Sequence, residues 1–200
     1  MIYASVAQAK QARPVWPRSD TAGLGFRAAT EADLPFLSRL YASTRFEELA
    51  VTSWSEAQKA EFLGMQFQAQ HAHYRKHYPE ADWLVVERDS EDIGRLYVER
   101  WPSQHRIIDI AFLPHHRRKG YGTALLCDLI DEAWLAGKSA SIHVEKHNPA
   151  RRLYAALGFA VVEDKGVYDL MDCAPGAAGL VCDGEHRKRR LSPTKRRGFS

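Results

Sequence analysis

The chain has 200 residues, 45% of them apolar and 26% charged, which fits one globular domain with enough buried surface to fold alone. No apolar run approaches the roughly 20 residues that span a bilayer, and the N-terminus lacks the basic start and apolar core of a signal peptide, so we expect no membrane association. The three cysteines are too few and too scattered for a disulfide framework, which favours a cytoplasmic location.

The formal net charge of +3 is concentrated at the C-terminus. Residues 173–200 contain seven Lys or Arg and two Asp or Glu, so the rest of the chain has a net charge of −2, which argues against a dedicated nucleic-acid-binding domain. We expect a disordered leader over residues 1–22, a folded domain over 23–172 and a basic, disordered tail over 173–200. Basic residues within 186–197 permit weak, salt-dependent binding of a polyanion, although a solvated tail without a partner is the simpler interpretation.

The N-terminal half predicts one strand and two helices. A short strand is expected over residues 23–28, followed by a helix capped by Thr30. Four apolar residues at helical spacing give this helix a core-facing stripe: Leu34, Leu37, Leu40 and Tyr41. A second helix is expected from Ser55 to His77, because Pro79 ends it.

The pattern then changes to the period of a β-strand. Two runs rich in β-branched and aromatic residues, 83–88 and 93–100, are separated by a polar segment and predict a hairpin. A third strand is expected over 106–113. Its alternation places three apolar side chains on one face: Ile108, Ile110 and Phe112.

The C-terminal part of the domain predicts a helix over 121–136 and a strand over 139–146. A short helix follows, with Asn148 as its N-cap, Pro149 at its first position and Gly158 after its end. Two further strands form a last hairpin.

The loop before the helix predicted over 121–136 has the residues of an anion-binding site. Arg117, Arg118 and Lys119 lead into Gly120-Tyr121-Gly122. Glycines let a ligand approach the backbone, and the first amides of a helix lack internal partners at its positive end, so phosphate oxygens bind well there. Arginine adds bidentate contacts to phosphate. These residues predict a pyrophosphate site.

Two other interpretations of the sequence have less support. The spacing of Gly120 and Gly122 also occurs in dinucleotide sites, but Leu125 stands where a third glycine is needed, and no Gly-Lys-Ser/Thr follows. His73 and His77 lie one helical turn apart, but no His-Glu-x-x-His motif or paired cysteine spacing supports a metal site, so we expect no metal.

Two segments have the form of family signatures. Residues 117–122 read Arg-Arg-Lys-Gly-Tyr-Gly, and residues 148–159 read Asn-Pro-Ala-Arg-Arg-Leu-Tyr-Ala-Ala-Leu-Gly-Phe. They resemble the Arg/Gln-x-x-Gly-x-Gly/Ala signature and the Asn-x-x-Ala-x-x-Leu-Tyr-x-x-x-Gly-Phe region of the GCN5-related N-acetyltransferase (GNAT) family, except that Ala150 stands one position early. The order of the two segments, each after a strand, is more specific than either segment alone.

The resemblance implies an α/β fold of the mixed, α+β kind, with a central, mostly antiparallel sheet flanked by helices and one parallel strand pair that splays apart. It also implies that acetyl-CoA is the cosubstrate, that no metal is needed, and that the third strand binds the pantetheine arm while the loop holds the pyrophosphate. The residues implied to bind the cofactor are Ile110, Ala111, Phe112, Leu113, Arg117, Arg118, Lys119, Gly120, Tyr121, Gly122, Thr123, Asn148 and Arg151.

Tyr154, in the short helix, is the candidate general acid. The sulfur of CoA leaves as a thiolate with a pKa of about 8.5, so a phenol with a pKa of about 10 can return a proton to it. Our candidate for the base that accepts the amine proton is Glu99, and Asp109, Glu47 and Glu48 are alternatives. For each of these carboxylates, a surface role is the simpler interpretation.

The expected activity is transfer of an acetyl or other acyl group from acetyl-CoA to a primary amine of a small molecule or peptide, by direct attack on the thioester. A catalytically inactive acyl-CoA-binding module, with the basic tail as a docking arm, is the alternative. The sequence does not identify the amine. The resemblance also permits a homodimer.

Overall fold

The computed structural model describes residues 15–177. The strands are β1 (Gly25–Ala28), β2 (Asp82–Arg88), β3 (Glu91–Arg100), β4 (Gln104–Phe112), β5 (Ser139–Glu145), β6 (Ala160–Lys165) and β7 (Tyr168–Cys173). The helices are α1 (Pro17–Thr21), α2 (Leu34–Arg45), α3 (Glu56–His77), α4 (Tyr121–Leu135) and α5 (Arg151–Ala156). The strands form one sheet in the order β1-β2-β3-β4-β5-β7-β6.

Helices cover both faces of the sheet, because its strands direct apolar side chains to either side. The larger core joins one face to α1, α4 and α5, and its members include Ile93, Leu96, Ile107, Leu125, Leu129, Ile142 and Leu157. The smaller core joins the other face to α2 and α3, and it includes Leu37, Leu40, Leu63, Phe67 and Val85.

The predicted mixed, mostly antiparallel sheet is confirmed, and β4 and β5 are the one parallel pair among the described strands. They pair only from Gln104 to Ile107, opposite Ser139 to Ile142. Beyond these positions β4 pairs with β3 alone and β5 with β7 alone, so the two parallel strands separate toward their C-terminal ends. We call this opening the fork.

A β-bulge in β4 lies where the fork begins. Ile108 has no partner of its own on β3, because Ile107 and Asp109 pair with consecutive residues there. The prediction that Ile108 shares a face with Ile110 and Phe112 is therefore wrong. Ile107, which is 0% exposed, takes that place in the larger core.

Residues 16–22 are folded, so the predicted disordered leader is wrong there. Trp16 is 0% exposed and belongs to the larger core. Asp128 of α4 accepts the backbone N–H groups of Arg18 and Ser19 at 3.2 and 2.7 Å. A helix as short as α1 is not stable alone, so these contacts with α4 hold it in place. The sequence around it has no apolar periodicity that would have predicted it.

The chain outside residues 15–177 includes most of the predicted tail, with its basic segment 186–197. Cys173 ends β7 and is 0% exposed, so this residue belongs to the sheet and not to the tail. The remaining limits of the predicted domain stay a prediction. No helix of residues 15–177 is long and apolar enough to cross a membrane.

Local signals set the helix boundaries near their predicted positions. Ser55 and Gln58 form a capping box at the start of α3, in which each side chain accepts a backbone N–H of the other residue. The helix α5 begins at Arg151 and not directly after Asn148. Residues 148–151 form a turn before the helix, in which Asn148 Oδ1 accepts the Ala150 N–H at 2.8 Å and the Asn148 carbonyl accepts the Arg151 N–H at 3.1 Å.

Candidate active site

The loop between β4 and α4 presents a run of unpaired backbone donors. A 3-10 turn over Pro114–His116 follows β4, and α4 begins after Gly120, whose φ of +85° is the left-handed conformation that glycine adopts without strain. The first backbone hydrogen bond of α4 runs from the Ala124 N–H to the Gly120 carbonyl. Within residues 15–177, none of the six amides from Arg118 to Thr123 donates to a carbonyl. Such a run at the positive end of a helix fits the oxygens of a pyrophosphate.

The three basic residues of this loop have different roles. Arg118 and Lys119 are exposed and form no ion pair within the described part of the chain, so their charges are available to an anion. Arg117 donates through Nε to the Phe112 carbonyl at 2.8 Å and through Nη2 to the carbonyl and hydroxyl of Ser43 at 3.0 Å. Burial lowers the pKa of this guanidinium. Two of its three nitrogens thus join β4 to α2, and the predicted contact of Arg117 with a phosphate stays a prediction.

The edge of β4 that faces the fork carries unpaired N–H groups. Leu113 donates its N–H to the Ile93 carbonyl of β3 at 2.9 Å, and the alternation along a strand then turns the N–H groups of Phe112 and Ile110 away from β3. The neighbouring strand β5 does not reach them, because its pairing with β4 ends at Ile107. The predicted pantetheine-binding strand therefore has donors available to a ligand in the fork.

Tyr154, the candidate acid, lies on α5 and is 5% exposed. Its ring packs edge to face on Phe159 at a centroid distance of 5.8 Å. No group within residues 15–177 is hydrogen-bonded to its hydroxyl, so the phenol proton is not committed to a partner there. Burial and the negative charge of Asp109 raise the pKa of Tyr154, which keeps the phenol protonated.

Glu99 and Asp109, two of the candidate bases, are both hydrogen-bonded. Glu99 is 6% exposed and accepts the Glu80 N–H at 2.9 Å and the indole N–H of Trp101. Asp109 lies beside the bulge and is held by Arg95, with Nε–Oδ1 and Nη2–Oδ2 distances of 3.0 and 2.8 Å. Both carboxylates thus have partners, so hydrogen bonding does not decide between them, and the identity of the base stays a prediction. Arg95 was not predicted as part of the site; the signal was a charged residue within the otherwise uncharged run 93–98.

Asn148 and Arg151, predicted to contact the cofactor, have partners within the protein. Asn148 Oδ1 is bonded to the Ala150 N–H. Arg151 Nη1 pairs with Asp169 at 2.5 Å, which joins α5 to β7. These side chains therefore have local roles, and their contacts with a cofactor stay a prediction.

A cleft of about 340 Å³ lies between the end of α2 and the loop after β4. Its lining consists of Ala42, Ser43, Phe46, Glu47, Pro114 and Arg117. Glu47, an alternative base, thus lies beside the predicted cofactor loop, whereas Glu48 forms a surface ion pair with Arg45 at 2.9 Å. The sequence did not predict this cleft, because its walls come from distant segments and carry no motif.

Comparison with known proteins agrees with this geometry. The sequence model described as Acetyltransferase (GNAT) family matches residues 44–159, which is more than half of the chain. None of the curated proteins matches the chain in sequence. Similar solved structures include PaiA N-acetyltransferase from Thermoplasma acidophilum in complex with coenzyme A, at 16% identity and a TM-score of 0.57 over 76% of this chain and 98% of that chain.

Two further solved structures have the same fold. One is an acetyltransferase from Thermus thermophilus, at 21% identity and a TM-score of 0.52 over 74% of this chain and 95% of that chain. The other is a GNAT family acetyltransferase from Elizabethkingia anophelis with acetyl-CoA bound, at 15% identity and a TM-score of 0.50 over 76% of this chain and 98% of that chain.

A mixed sheet with a forked parallel pair and a loop of unpaired amides is the architecture that the two signatures predicted. The chain belongs to the GNAT family of acetyltransferases. This membership gives no support to the alternative of an inactive binding module.

Proposed function

We propose that the protein transfers an acetyl group from acetyl-CoA to a primary amine by direct attack of the amine on the thioester. The observation that carries the proposal is the fork between β4 and β5. The N–H groups of Ile110 and Phe112 face away from β3 along it, and the six unpaired amides from Arg118 to Thr123 follow at the end of β4. A thin, extended ligand with a pyrophosphate at one end matches this order of donors.

Separate hydrogen-bond donors of the site bind the two ends of acetyl-CoA. The amides of the loop bind the pyrophosphate, and Arg118 and Lys119 add full charges. The N–H groups of β4 bind the pantetheine arm. Donors of this kind also stabilise the oxyanion that develops on the thioester carbonyl when the amine nitrogen bonds to its carbon.

Tyr154 gives its proton to the sulfur as the carbon–sulfur bond breaks. Its raised pKa keeps the hydroxyl protonated at neutral pH, which is the form that an acid needs. A phenol with a raised pKa is also a weaker acid, so we expect its contribution to lie near the lower end of the usual range, about 100-fold in kcat.

The amine has to lose a proton before or during the attack, since an alkylammonium of pKa about 10.4 is not a nucleophile. We assign this role to Asp109 in place of Glu99. Asp109 lies at the bulge beside the fork, and its charge acts on Tyr154. Glu99→Gln should therefore change kcat/KM less than Asp109→Asn does, and the reverse order would overturn the assignment.

Release of CoA thiol over a panel of primary amines tests the function. Tyr154→Phe keeps the ring and its packing on Phe159, so we expect unchanged affinity for acetyl-CoA and about 100-fold lower kcat. Tyr41→Phe is a matched control, because the Tyr41 hydroxyl is bonded to Gln66 at 3.1 Å in the smaller core. Unchanged turnover in Tyr154→Phe would remove the acid role. Tight acetyl-CoA binding without thiol release from any amine would overturn the enzymatic function.

The acceptor in this proposal is an amine of a small molecule or peptide. The cytoplasmic location and the homodimer stay predictions from the sequence. So does polyanion binding by residues 186–197, which lie outside the described residues.

A further inference from the structure

Arg106 of β4 and Ser141 of β5 are adjacent buried polar residues at the base of the fork. They are cross-strand partners, one position before the last pair of the two strands. Arg106 is 4% exposed and Ser141 is 0% exposed. Cross-strand partners project to the same face of a sheet, so the two side chains share one site.

Both side chains lack hydrogen-bond partners. The Nε and Nη1 atoms of Arg106 and the hydroxyl of Ser141 are buried and unbonded in the described part of the chain. No carboxylate among residues 15–177 lies within 4 Å of the guanidinium, and Glu99, directly across on β3, is bonded to Glu80 and Trp101 instead. Asp172, the partner of Ser141 on β7, attracts the guanidinium but forms no ion pair with it. A buried guanidinium without a direct partner is costly, so its presence indicates that a partner arrives from outside the fold.

Arg95, a second buried arginine of the sheet, differs from Arg106 because it has a direct ion-pair partner. Arg95 is 2% exposed and is paired through two nitrogens with both oxygens of Asp109. Arg106 has comparable burial and no such pairing. The difference assigns Arg95 to the stability of the sheet and leaves Arg106 for a ligand.

The surroundings of Arg106 fix its guanidinium, and the strand register places it on the face of the sheet that carries Asp109. The guanidinium lies 5.1 Å from the centroid of the Trp101 ring, and Tyr78 stacks on that ring at 6.3 Å. Arg106 pairs with Glu99 and Asp109 pairs with Tyr97, two positions away on β3, so Arg106 and Asp109 project to the same face.

We propose that Arg106 and Ser141 bind a carboxylate of the acceptor, so that the acceptor is a primary amine that also carries a carboxylate. The inference rests on the proposed function. A guanidinium presents a planar pair of donors that matches the two oxygens of one carboxylate, and the serine hydroxyl adds a third donor. Binding of the carboxylate here holds the amine near Asp109 and the fork.

The test compares α-amino acids and ω-amino acids with their neutral carboxamides, by the rate of CoA release. We expect the wild type to prefer the carboxylate form of its best acceptor by about 100-fold or more in kcat/KM, because a carboxamide leaves the buried guanidinium without a direct ion pair. Arg106→Met should lower kcat/KM for the carboxylate form by about 100-fold and leave the carboxamide within about threefold. Ser141→Ala should lower the carboxylate rate by about tenfold and keeps the inference testable where Arg106→Met fails to fold. Arg39→Met, at an exposed position of α2, is the control and should change neither rate.

A binding measurement tests carboxylate binding at Arg106 independently of turnover. The preferred carboxylate, added with CoA, should raise the Tm of the wild type but not that of Arg106→Met. Arg106→Met without ligand should have a Tm equal to or above that of the wild type, since it removes an unpaired buried charge. A lower Tm with an unchanged preference for carboxylates would assign Arg106 a purely structural role.

The two hypotheses fail in different ways. Equal rates with acid and carboxamide in the wild type would overturn the carboxylate site and leave the acetyltransfer in place. Absence of thiol release from every amine would overturn the proposed function, and the Tm shift would still support or refute carboxylate binding at Arg106.

Discussion

Replacing Trp16 by Ala should destabilise the domain by about 3–5 kcal/mol, the usual cost of deleting a buried aromatic side chain. Trp16 is 0% exposed, and its ring meets Phe26 of β1 edge to face at a centroid distance of 4.7 Å. Such a pair contributes about 0.5–1.5 kcal/mol beyond the buried area. The indole also donates to Glu132 at 2.9 Å, but Glu132 keeps Arg100 as a partner, so no buried charge is left unpaired. We therefore expect a loss at the lower end of this range, about 3 kcal/mol.

Urea denaturation followed by circular dichroism measures this loss as a lower midpoint with an unchanged m-value. Val15→Ala is the matched control, since Val15 is 83% exposed and directly precedes Trp16, and it should change the free energy of unfolding by less than about 0.5 kcal/mol. A loss below about 1 kcal/mol in Trp16→Ala would mean that α1 does not stabilise the domain and would refute the reasoning.

Three further substitutions test separate parts of the structure. Gly94→Ala places a Cβ 2.5 Å from the Ala111 carbonyl oxygen, so β4 has to shift at the fork. We expect kcat/KM to fall by about tenfold or more, and an unchanged value would show that the position of β4 does not limit catalysis. Gly120→Ala meets no atom within 4 Å but has to hold a φ of +85°, at a cost of about 1–2 kcal/mol. Calorimetry should detect weaker CoA binding by a folded protein, and wild-type affinity would contradict the role of this turn. Asp33 is bonded to Arg27 at 2.7 and 2.9 Å, which lowers the pKa of its carboxyl well below the usual range. A lowered carboxyl pKa contributes stability above the unfolded pKa of about 3.9, and this stability is lost as the pH falls through the folded pKa. Asp33→Asn should therefore be less stable at pH 7 and lose less Tm than the wild type on acidification below about pH 4, and parallel Tm curves would refute this.

The parts of the fold with local signals could be predicted from the sequence. The capping residues Ser55 and Gln58 fix the start of α3, and the turn at Asn148 precedes α5. The unpaired amides of the cofactor loop were predictable for the same reason, since a left-handed Gly120 before a helix is a contiguous feature. These elements depend on neighbours within a few residues.

Features that depend on distant partners could not be predicted. The helix α1 exists because Asp128, about 110 positions away, accepts two of its N–H groups, and nothing in the leader indicates this partner. The contacts of Arg117 with Ser43 of α2 likewise join residues that are 74 positions apart, and nothing in the loop sequence indicates this partner. In both cases the local composition favours solvent exposure, and the tertiary contact overrides it.

The bulge in β4 explains why the sequence predicts the binding site for acetyl-CoA but not the binding site for the acceptor amine. Acetyl-CoA binding in our proposal uses backbone amides, so it requires only a strand end, a glycine and a helix start. Acceptor binding in our proposal uses Arg106 and Asp109, which are three positions apart and would project to opposite faces of a regular strand. They share one face only because Ile108 is an extra residue in the pairing with β3. A β4 without Ile108 would have to turn either Arg106 or Asp109 into the apolar core. Selection of the acceptor therefore depends on the register of the sheet, which is a property of paired strands and not of any one segment.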